Sequence, residues 1–237
     1  MPLAQAFADI LQTALSTREA IQLVDSRPDV LHLFGNPTVA LCRRAHRLYL
    51  KKIPYLYSPL GALLPWQADP HPALKSLLRE ATALVVYGET EKNVLAQRLR
   101  RRKSPPPIYQ VQHPATAVRY TPADLAAQME EIYRHAADAH EQKMRAEIRA
   151  AAEKITDDEP IRSFFSQLLY YKYQDRRDDI RPETLQQLHR AFMADNFDED
   201  KVCELINEHK LKKIALQAQQ QLADETGLTE GFMLNLK

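Results

Sequence analysis

The sequence predicts an α/β protein in which a small four-stranded parallel sheet with flanking helices is followed by an all-helical region. Short apolar runs alternate with helical stretches up to about residue 120, and the pattern beyond that point is helical throughout. The charge changes sign there, because residues 1–120 carry 16 Lys+Arg against 8 Asp+Glu and residues 121–237 carry 16 against 23. We therefore expect one domain over residues 1–120 and another over residues 121–237.

Four segments of the first region have the length and composition of buried strands. They are rich in β-branched and aromatic residues and almost continuously apolar, as strands covered on both faces are. About 20–25 residues separate neighbouring segments, which leaves room for a helix and two loops and favours right-handed crossovers in a parallel sheet. The predicted strands cover residues 30–34, 54–58, 83–87 and 108–112.

Helical spacing surrounds and connects these strands. Residues 37–51 and 89–100 are the clearest crossover helices, and residues 3–15 form a helix ahead of the first strand. Ser16 and Glu19 have the spacing of a capping box, which predicts a further helix over residues 18–25.

The second region begins with a helix start signal. Thr121 is an N-cap residue and Pro122 takes the first helical position, so a long helix is predicted from there to about residue 155. Three further helices are predicted over residues 161–174, 182–194 and 198–225.

Composition narrows the class of protein. No segment approaches the ~20 apolar residues of a membrane-spanning helix, and the N-terminus does not have the pattern of a signal peptide. Cys42 and Cys203 are too few for a disulfide framework or a zinc site, and a reducing cytoplasm is the simplest expectation. His135 and His140 are five residues apart, so they do not share a helical face, and no metal or cofactor is expected.

Four segments of the first region share their order and spacing with a known family. PDVLHLFG at residues 28–35 is similar to the family's PDVIHLHG, and IPYLYSPLGALLPW at residues 53–66 is similar to IPVVLSPHGMLEPW. Residues 81–99 resemble ADAIHATSEYEKENL, and residues 108–114 stand where the family has VIPNG. Residues from about 20 to 118 thus resemble the acceptor-side, N-terminal domain of family-4 (GT-B type) glycosyltransferases. The resemblance implies a Rossmann-like sheet, but only part of that domain.

The resemblance also implies a cleft from which this chain departs. In the family a second Rossmann-like domain holds the nucleotide sugar, and residues 121–237 have no βαβ pattern to match it. Leu60 replaces the family's His in SPHG, Phe34 the second His in HLHG, and Leu64 the Glu before PW. Because a leucine can neither hydrogen-bond a sugar nor shuttle a proton, we expect apolar packing at these positions.

The loops that follow the strands define the candidate cleft, since ligands of parallel sheets bind at the carboxyl ends of the strands. The alternative is that these residues only make tight turns and cap helices. His32 lies inside a strand, where a buried and hydrogen-bonded role is expected. No catalytic residue is predicted. The candidate cleft residues are Gly35, Asn36, Ser58, Gly61, Gly88, Glu89 and His113.

Three functions remain open at this point. The first is a degenerate glycosyltransferase-like protein that is not catalytic on its own, which leaves open whether it is an enzyme. The second is the acceptor-binding half of a glycosyltransferase completed by another chain, and the third is a helical protein-interaction module. The partners considered are a sugar or nucleotide-sugar ligand and a second copy bound through the sheet edge or the helical region. Nucleic acid is not favoured, because the basic segment 100–107 has no interleaved aromatic residues.

Overall fold

A computed structural model describes residues 3–24, 28–63, 73–112, 121–194, 198–228, 231 and 233–236. The chain forms two compact units, Met1–His140 and Glu141–Lys237. The division falls inside a long helix, Pro122–Glu153, and each unit is described separately below.

The first unit contains the predicted alternation of strands and helices. The fold class is confirmed, and most of the boundaries lie within two residues of those predicted. Its elements are α1 (Leu3–Leu15), β1 (Leu31–Phe34), α2 (Val39–Leu50), β2 (Tyr55–Ser58), α3 (Leu74–Glu80), β3 (Ala83–Val86), α4 (Glu89–Leu99), β4 (Ile108–Gln110) and the beginning of α5 (Pro122–Glu153).

The four strands form one parallel sheet in the order β1-β2-β3-β4. Phe34 pairs with Ser58 and Val86 with Gln110, so the carboxyl ends of these neighbouring strands lie side by side. Strands that are consecutive in sequence are also adjacent in the sheet. Because each crossover between them is right-handed, α2, α3 and α4 lie on the same face. This arrangement leaves the other face of the sheet to α1 and α5.

Side chains alternate along each strand, so the sheet separates two cores. Tyr55 and Tyr57 pack with residues of α2, α3 and α4 in the first core. Leu56 and Val85 pack with residues of α1 and the beginning of α5 in the second. All four side chains are fully buried. We call these cores the crossover core and the α1–α5 core.

The segment after α1 corrects one prediction. Within residues 18–24 no helix forms. The Ser16 hydroxyl donates to the Thr13 carbonyl at 2.8 Å, and the Thr17 hydroxyl donates to Ala14 at 2.8 Å. The hydroxyl groups thus bind the last free carbonyls of α1, and Ser16 is not available to begin a second helix.

The second unit is helical in the residues that the structure describes. It continues α5 and adds α6 (Glu159–Asp175), α7 (Pro182–Phe192), α8 (Glu199–Glu208) and α9 (Lys212–Thr226). Asp158 and Asp198 cap α6 and α8, since each carboxylate accepts from the backbone N–H three residues later. Buried side chains from all of these helices share one core, around Phe164, Phe165 and Leu188.

One predicted helix of this unit is two helices in the structure. The pattern over residues 198–225 is interrupted at Lys210, whose φ of 54° is left-handed. The Leu211 N–H then donates back to the Ile206 carbonyl at 2.8 Å, which closes α8, and Leu211 itself is buried. Among the described helices of both units, none has the length and apolar character needed to cross a membrane.

Candidate functional site

The candidate residues that the structure describes lie at the end of β2, in the turns after β1, β2 and β3, and at the start of α4. Because the sheet is parallel, these three loops meet at its carboxyl edge. His113, the last of the candidates, falls outside the described residues, as does Leu64.

The loop after β1 is fixed by backbone contacts. Gly35 has a φ of 92°, which a residue with a side chain rarely adopts. Its N–H donates to the Ser58 carbonyl at 2.9 Å, and its carbonyl accepts from the Tyr57 hydroxyl at 2.8 Å. Asn36 follows with an exposed side chain. Gly35 is thus a structural turn, and Asn36 is the part of this loop that a ligand could reach.

Ser58 belongs to a chain of three polar side chains on the α1–α5 face of the sheet. The Ser58 hydroxyl lies 2.7 Å from Nε2 of His32. The other ring nitrogen, Nδ1, lies 2.8 Å from the hydroxyl of Tyr133 in α5. The histidine therefore links β1 to its neighbour β2 and to a residue 101 positions away in sequence. We call this set the Ser58–His32–Tyr133 chain.

The chain consists of neutral groups. Burial lowers the pKa of His32 to about 3, because an imidazolium would lose its hydration there. Burial also raises the pKa of Tyr133 above its ordinary range. A neutral imidazole has one donor and one acceptor nitrogen, so both hydroxyl contacts are satisfied in either tautomer.

The geometry limits what this chain can do chemically. A serine hydroxyl at hydrogen-bond distance from a neutral histidine is the pairing that activates a nucleophile. Ser58, however, has 0% of its surface exposed, so a substrate atom cannot approach its oxygen. His32 uses both ring nitrogens inside the fold. The arrangement connects β1, β2 and α5, as expected for a histidine that is hydrogen-bonded inside the fold.

The turn after β2 contains a buried carboxylate that sequence reasoning missed. Leu60 and Gly61 have φ of 54° and 83°. The Gly61 N–H donates to Oε1 of Glu91 at 2.7 Å, and Glu91 is only 4% exposed. Burial raises the pKa of Glu91, and backbone hydrogen bonds from Gly61 and Tyr87 oppose that shift. Glu91 thus holds the β2 turn against the first turn of α4.

A signal for Glu91 was present in the sequence. Glu91, Leu95 and Leu99 follow one another at four-residue spacing, and all three are buried on the inner side of α4. The position after the strand predicts Glu89, two residues earlier, as the cleft carboxylate. Glu89 is exposed and lies 3.8 Å from the Lys92 ammonium, as part of an ordinary surface ion pair.

Gly88 does not need to be glycine. It is the N-cap of α4, and its φ of −162° is extended backbone that any residue adopts. A Cβ added there would meet nothing within 4 Å. Gly88 therefore marks an open position beside Glu89 at the carboxyl edge, without a conformational requirement of its own.

Two of the positions where the family has histidine are filled by packed apolar side chains. Leu60 and Phe34 both pack against the α1–α5 core. The Phe34 ring lies 3.9 Å from the His32 ring and 5.7 Å from the Phe7 ring, measured between centroids. In the described residues, no group of three or more His, Cys, Asp or Glu side chains is placed to hold a metal ion.

A scan against protein-family models found no match, and searches of curated proteins and of solved structures found none either. The resemblance to family-4 glycosyltransferases therefore stays a prediction. What can be argued about function depends on the geometry of the carboxyl edge.

Proposed function

We propose that this chain is a glycosyltransferase-like protein of degenerate type, with a Rossmann-like sheet that is not catalytic on its own. The observation that carries the proposal is the state of the polar side chains at the carboxyl edge. Ser58 is fully buried, and Glu91 is 4% exposed. Both use their hydrogen-bonding groups inside the fold. An acceptor sugar needs such groups to face the cleft.

The apolar substitutions support the same proposal. Leu60 and Phe34 pack in the α1–α5 core, where the resemblance expects imidazoles that face a ligand. An aliphatic or phenyl group offers neither a proton nor a hydrogen bond to a sugar hydroxyl.

The second unit adds further support. A nucleotide sugar is held in the family by a second α/β domain, and the described residues of Glu141–Lys237 form helices only. Within those residues there is no parallel strand whose carboxyl end could bind a nucleotide. Cys42 and Cys203 are free thiols, which suits the cytoplasmic location that is part of this proposal.

A second candidate function is the acceptor-binding half of an enzyme that another chain completes. It is favoured by Asn36 and Glu89, which remain exposed at the same edge. A sugar or nucleotide sugar could hydrogen-bond to the Asn36 amide without disturbing the buried groups.

The test is a thermal-shift screen of the purified chain against nucleotide sugars, nucleotides and simple glycans. A ligand at 100 times its dissociation constant adds ~2.7 kcal/mol of stability, which is readily measured. The degenerate form of the proposal expects no shift. A shift that Asn36→Ala abolishes, and that the exposed control Asn207→Ala retains, would favour the acceptor-binding half. Turnover of any nucleotide sugar by the chain alone would contradict the proposal.

A further inference from the structure

The outer surface of α2 and α3 is strongly basic. Residues 30–112 contain 13 Lys+Arg against 4 Asp+Glu. Two of those acids are withdrawn from solvent, since Glu91 is 4% exposed and the Glu80 side chain is 4% exposed. The bases, by contrast, lie on the outward side of the helices. We call the exposed residues Arg43, Arg44, Arg47, Lys51, Lys75 and Arg79 the basic face.

Contacts between the helices make this face continuous. Nδ1 of His46 on α2 lies 3.1 Å from Oε2 of Glu80 at the end of α3. Nη1 of Arg102, which follows α4, donates to the Arg79 carbonyl at 2.6 Å. The helices α2 and α3 and the segment after α4 are thereby joined along one side of the sheet.

Little negative charge compensates the basic face. In the part of the chain that the structure describes, its ion pairs are those of Glu80 with His46 and Arg79. The guanidinium groups of Arg43 and Arg47 have no carboxylate within ion-pair distance among the same residues. The face therefore projects a positive potential that attracts an extended anionic partner.

Two aliphatic side chains share the outermost row of α2 with those arginines. Val39, Arg43, Arg47 and Leu50 follow one another at spacings of four, four and three residues, which places them on the same side of the helix. Val39 is 40% exposed and Leu50 is 60% exposed. The opposite side of α2 is buried in the crossover core.

We propose that the basic face binds an anionic lipid surface, with α2 lying in the plane of the membrane interface. The Arg and Lys side chains contact headgroup phosphates, and Val39 and Leu50 enter the boundary with the acyl chains. The aliphatic pair favours lipid over nucleic acid, because an exposed leucine gains nothing against a phosphate backbone. Proteins that bind single-stranded nucleic acid stack successive bases on several aromatic side chains. The helix α2 offers one such side chain, the exposed Tyr49.

The experiment is flotation of the full chain with vesicles of phosphatidylcholine alone and of phosphatidylcholine mixed with phosphatidylglycerol. We expect binding to the anionic vesicles only, with a loss of binding as salt is raised. Changing both Arg43→Gln and Arg47→Gln lowers the partition coefficient by roughly 30-fold, at the usual contribution of each basic residue. Leu50→Asn lowers it by about tenfold at constant charge.

The matched control is Arg149→Gln with Arg190→Gln, two exposed arginines of the second unit, which removes the same charge elsewhere. If the basic face is responsible, this control variant binds anionic vesicles with the same partition coefficient as the unchanged chain. Circular dichroism and thermal unfolding verify that each variant is folded.

Three results would overturn the proposal. The first is the absence of binding to anionic vesicles at low salt, and the second is an equal loss of binding in the control. The third is binding to an oligonucleotide that outcompetes the vesicles and is unaffected by Leu50→Asn, which would assign the face to nucleic acid.

Discussion

The two faces of the sheet use their polar side chains in different ways. In the crossover core, the Tyr55 and Tyr57 hydroxyls donate to the carbonyls of Leu77 and Gly35, each 22 residues away in sequence. On the α1–α5 face, His32 bonds to side chains of two other elements, and Tyr133 is 101 residues away. The first face is completed within neighbouring βαβ units, whereas the second requires α5.

The difference teaches where the fold is vulnerable. A tyrosine bonded to a backbone carbonyl contributes one contact, and most of its stabilisation comes from the buried ring. A histidine between two hydroxyls satisfies three groups at once, so its removal leaves partners unsatisfied. Variants on the two faces therefore separate packing from polar satisfaction.

The largest expected effect is on the crossover face, at Tyr57. Tyr57→Ala removes a fully buried ring, and we expect the free energy of unfolding to fall by about 3–5 kcal/mol in urea denaturation. Tyr57→Phe loses only the bond to Gly35 and costs about 1–2 kcal/mol. Tyr49→Ala, at a 42% exposed position, is the matched control and changes stability little. Equal losses for Tyr57→Ala and Tyr57→Phe would mean that the hydroxyl, rather than the ring, dominates.

The next effect is on the α1–α5 face, at His32. His32→Leu introduces an apolar side chain of similar size and leaves the hydroxyls of Ser58 and Tyr133 without the imidazole, at a cost of about 2–3 kcal/mol. The exposed His135→Leu in α5 serves as control and is expected to be nearly neutral. A neutral His32→Leu variant would show that the Ser58–His32–Tyr133 chain does not stabilise the fold.

The same histidine predicts a dependence of stability on pH. Its folded pKa of about 3 is below the ordinary value of 6.5, so between these values the unfolded chain binds the proton more readily. The contribution of His32 to the free energy of unfolding is therefore complete above pH 6.5 and decreases as the pH falls, by roughly 2 kcal/mol between pH 7 and pH 5. Chemical denaturation across this range measures the loss, and His32→Gln should flatten the curve. If the pH dependence of stability is unchanged in His32→Gln, the proton taken up on unfolding binds to a group other than His32.

The smallest effect is expected at Leu60, the position at which the glycosyltransferase family that the sequence resembles has a histidine. Histidine tolerates the φ of 54° better than leucine, but it fills the apolar contacts less well. We expect Leu60→His to change the free energy of unfolding by less than about 1 kcal/mol. It should not create a response to nucleotide sugars in the thermal-shift screen. A response confined to this variant would show that the cleft survives and lacks only the imidazole.

The strands could be predicted because their information is local. Each is a short apolar run bounded by turn residues, and Gly35 and Gly61 occur where the backbone requires a positive φ. The prediction that His32 is hydrogen-bonded inside the fold is confirmed, although the residue is only partly buried, and its partner Tyr133 could not be foreseen because 101 residues separate them. The division into domains at residue 120 stays a prediction.

The failures have local physical causes as well. Ser16 carries an N-cap side chain, but its hydroxyl binds a carbonyl of the preceding helix, and the spacing to Glu19 does not reveal which end it caps. Lys210 carries no sequence signal for a left-handed φ, so the break between α8 and α9 was missed. Glu89 was predicted to line the cleft because it follows β3 closely, whereas the burial of Glu91 is indicated by its helical spacing with Leu95 and Leu99.

The central claim is that the polar groups at the carboxyl edge of the sheet stabilise the fold and do not act on a substrate. The most direct measurement follows nucleotide-sugar turnover and urea unfolding in parallel for the unchanged chain and for Ser58→Ala. We predict no turnover above the buffer rate in either protein, and a loss of about 1–3 kcal/mol of stability in Ser58→Ala because His32 loses a partner. Turnover by the unchanged chain that disappears in an equally stable Ser58→Ala protein would contradict the account.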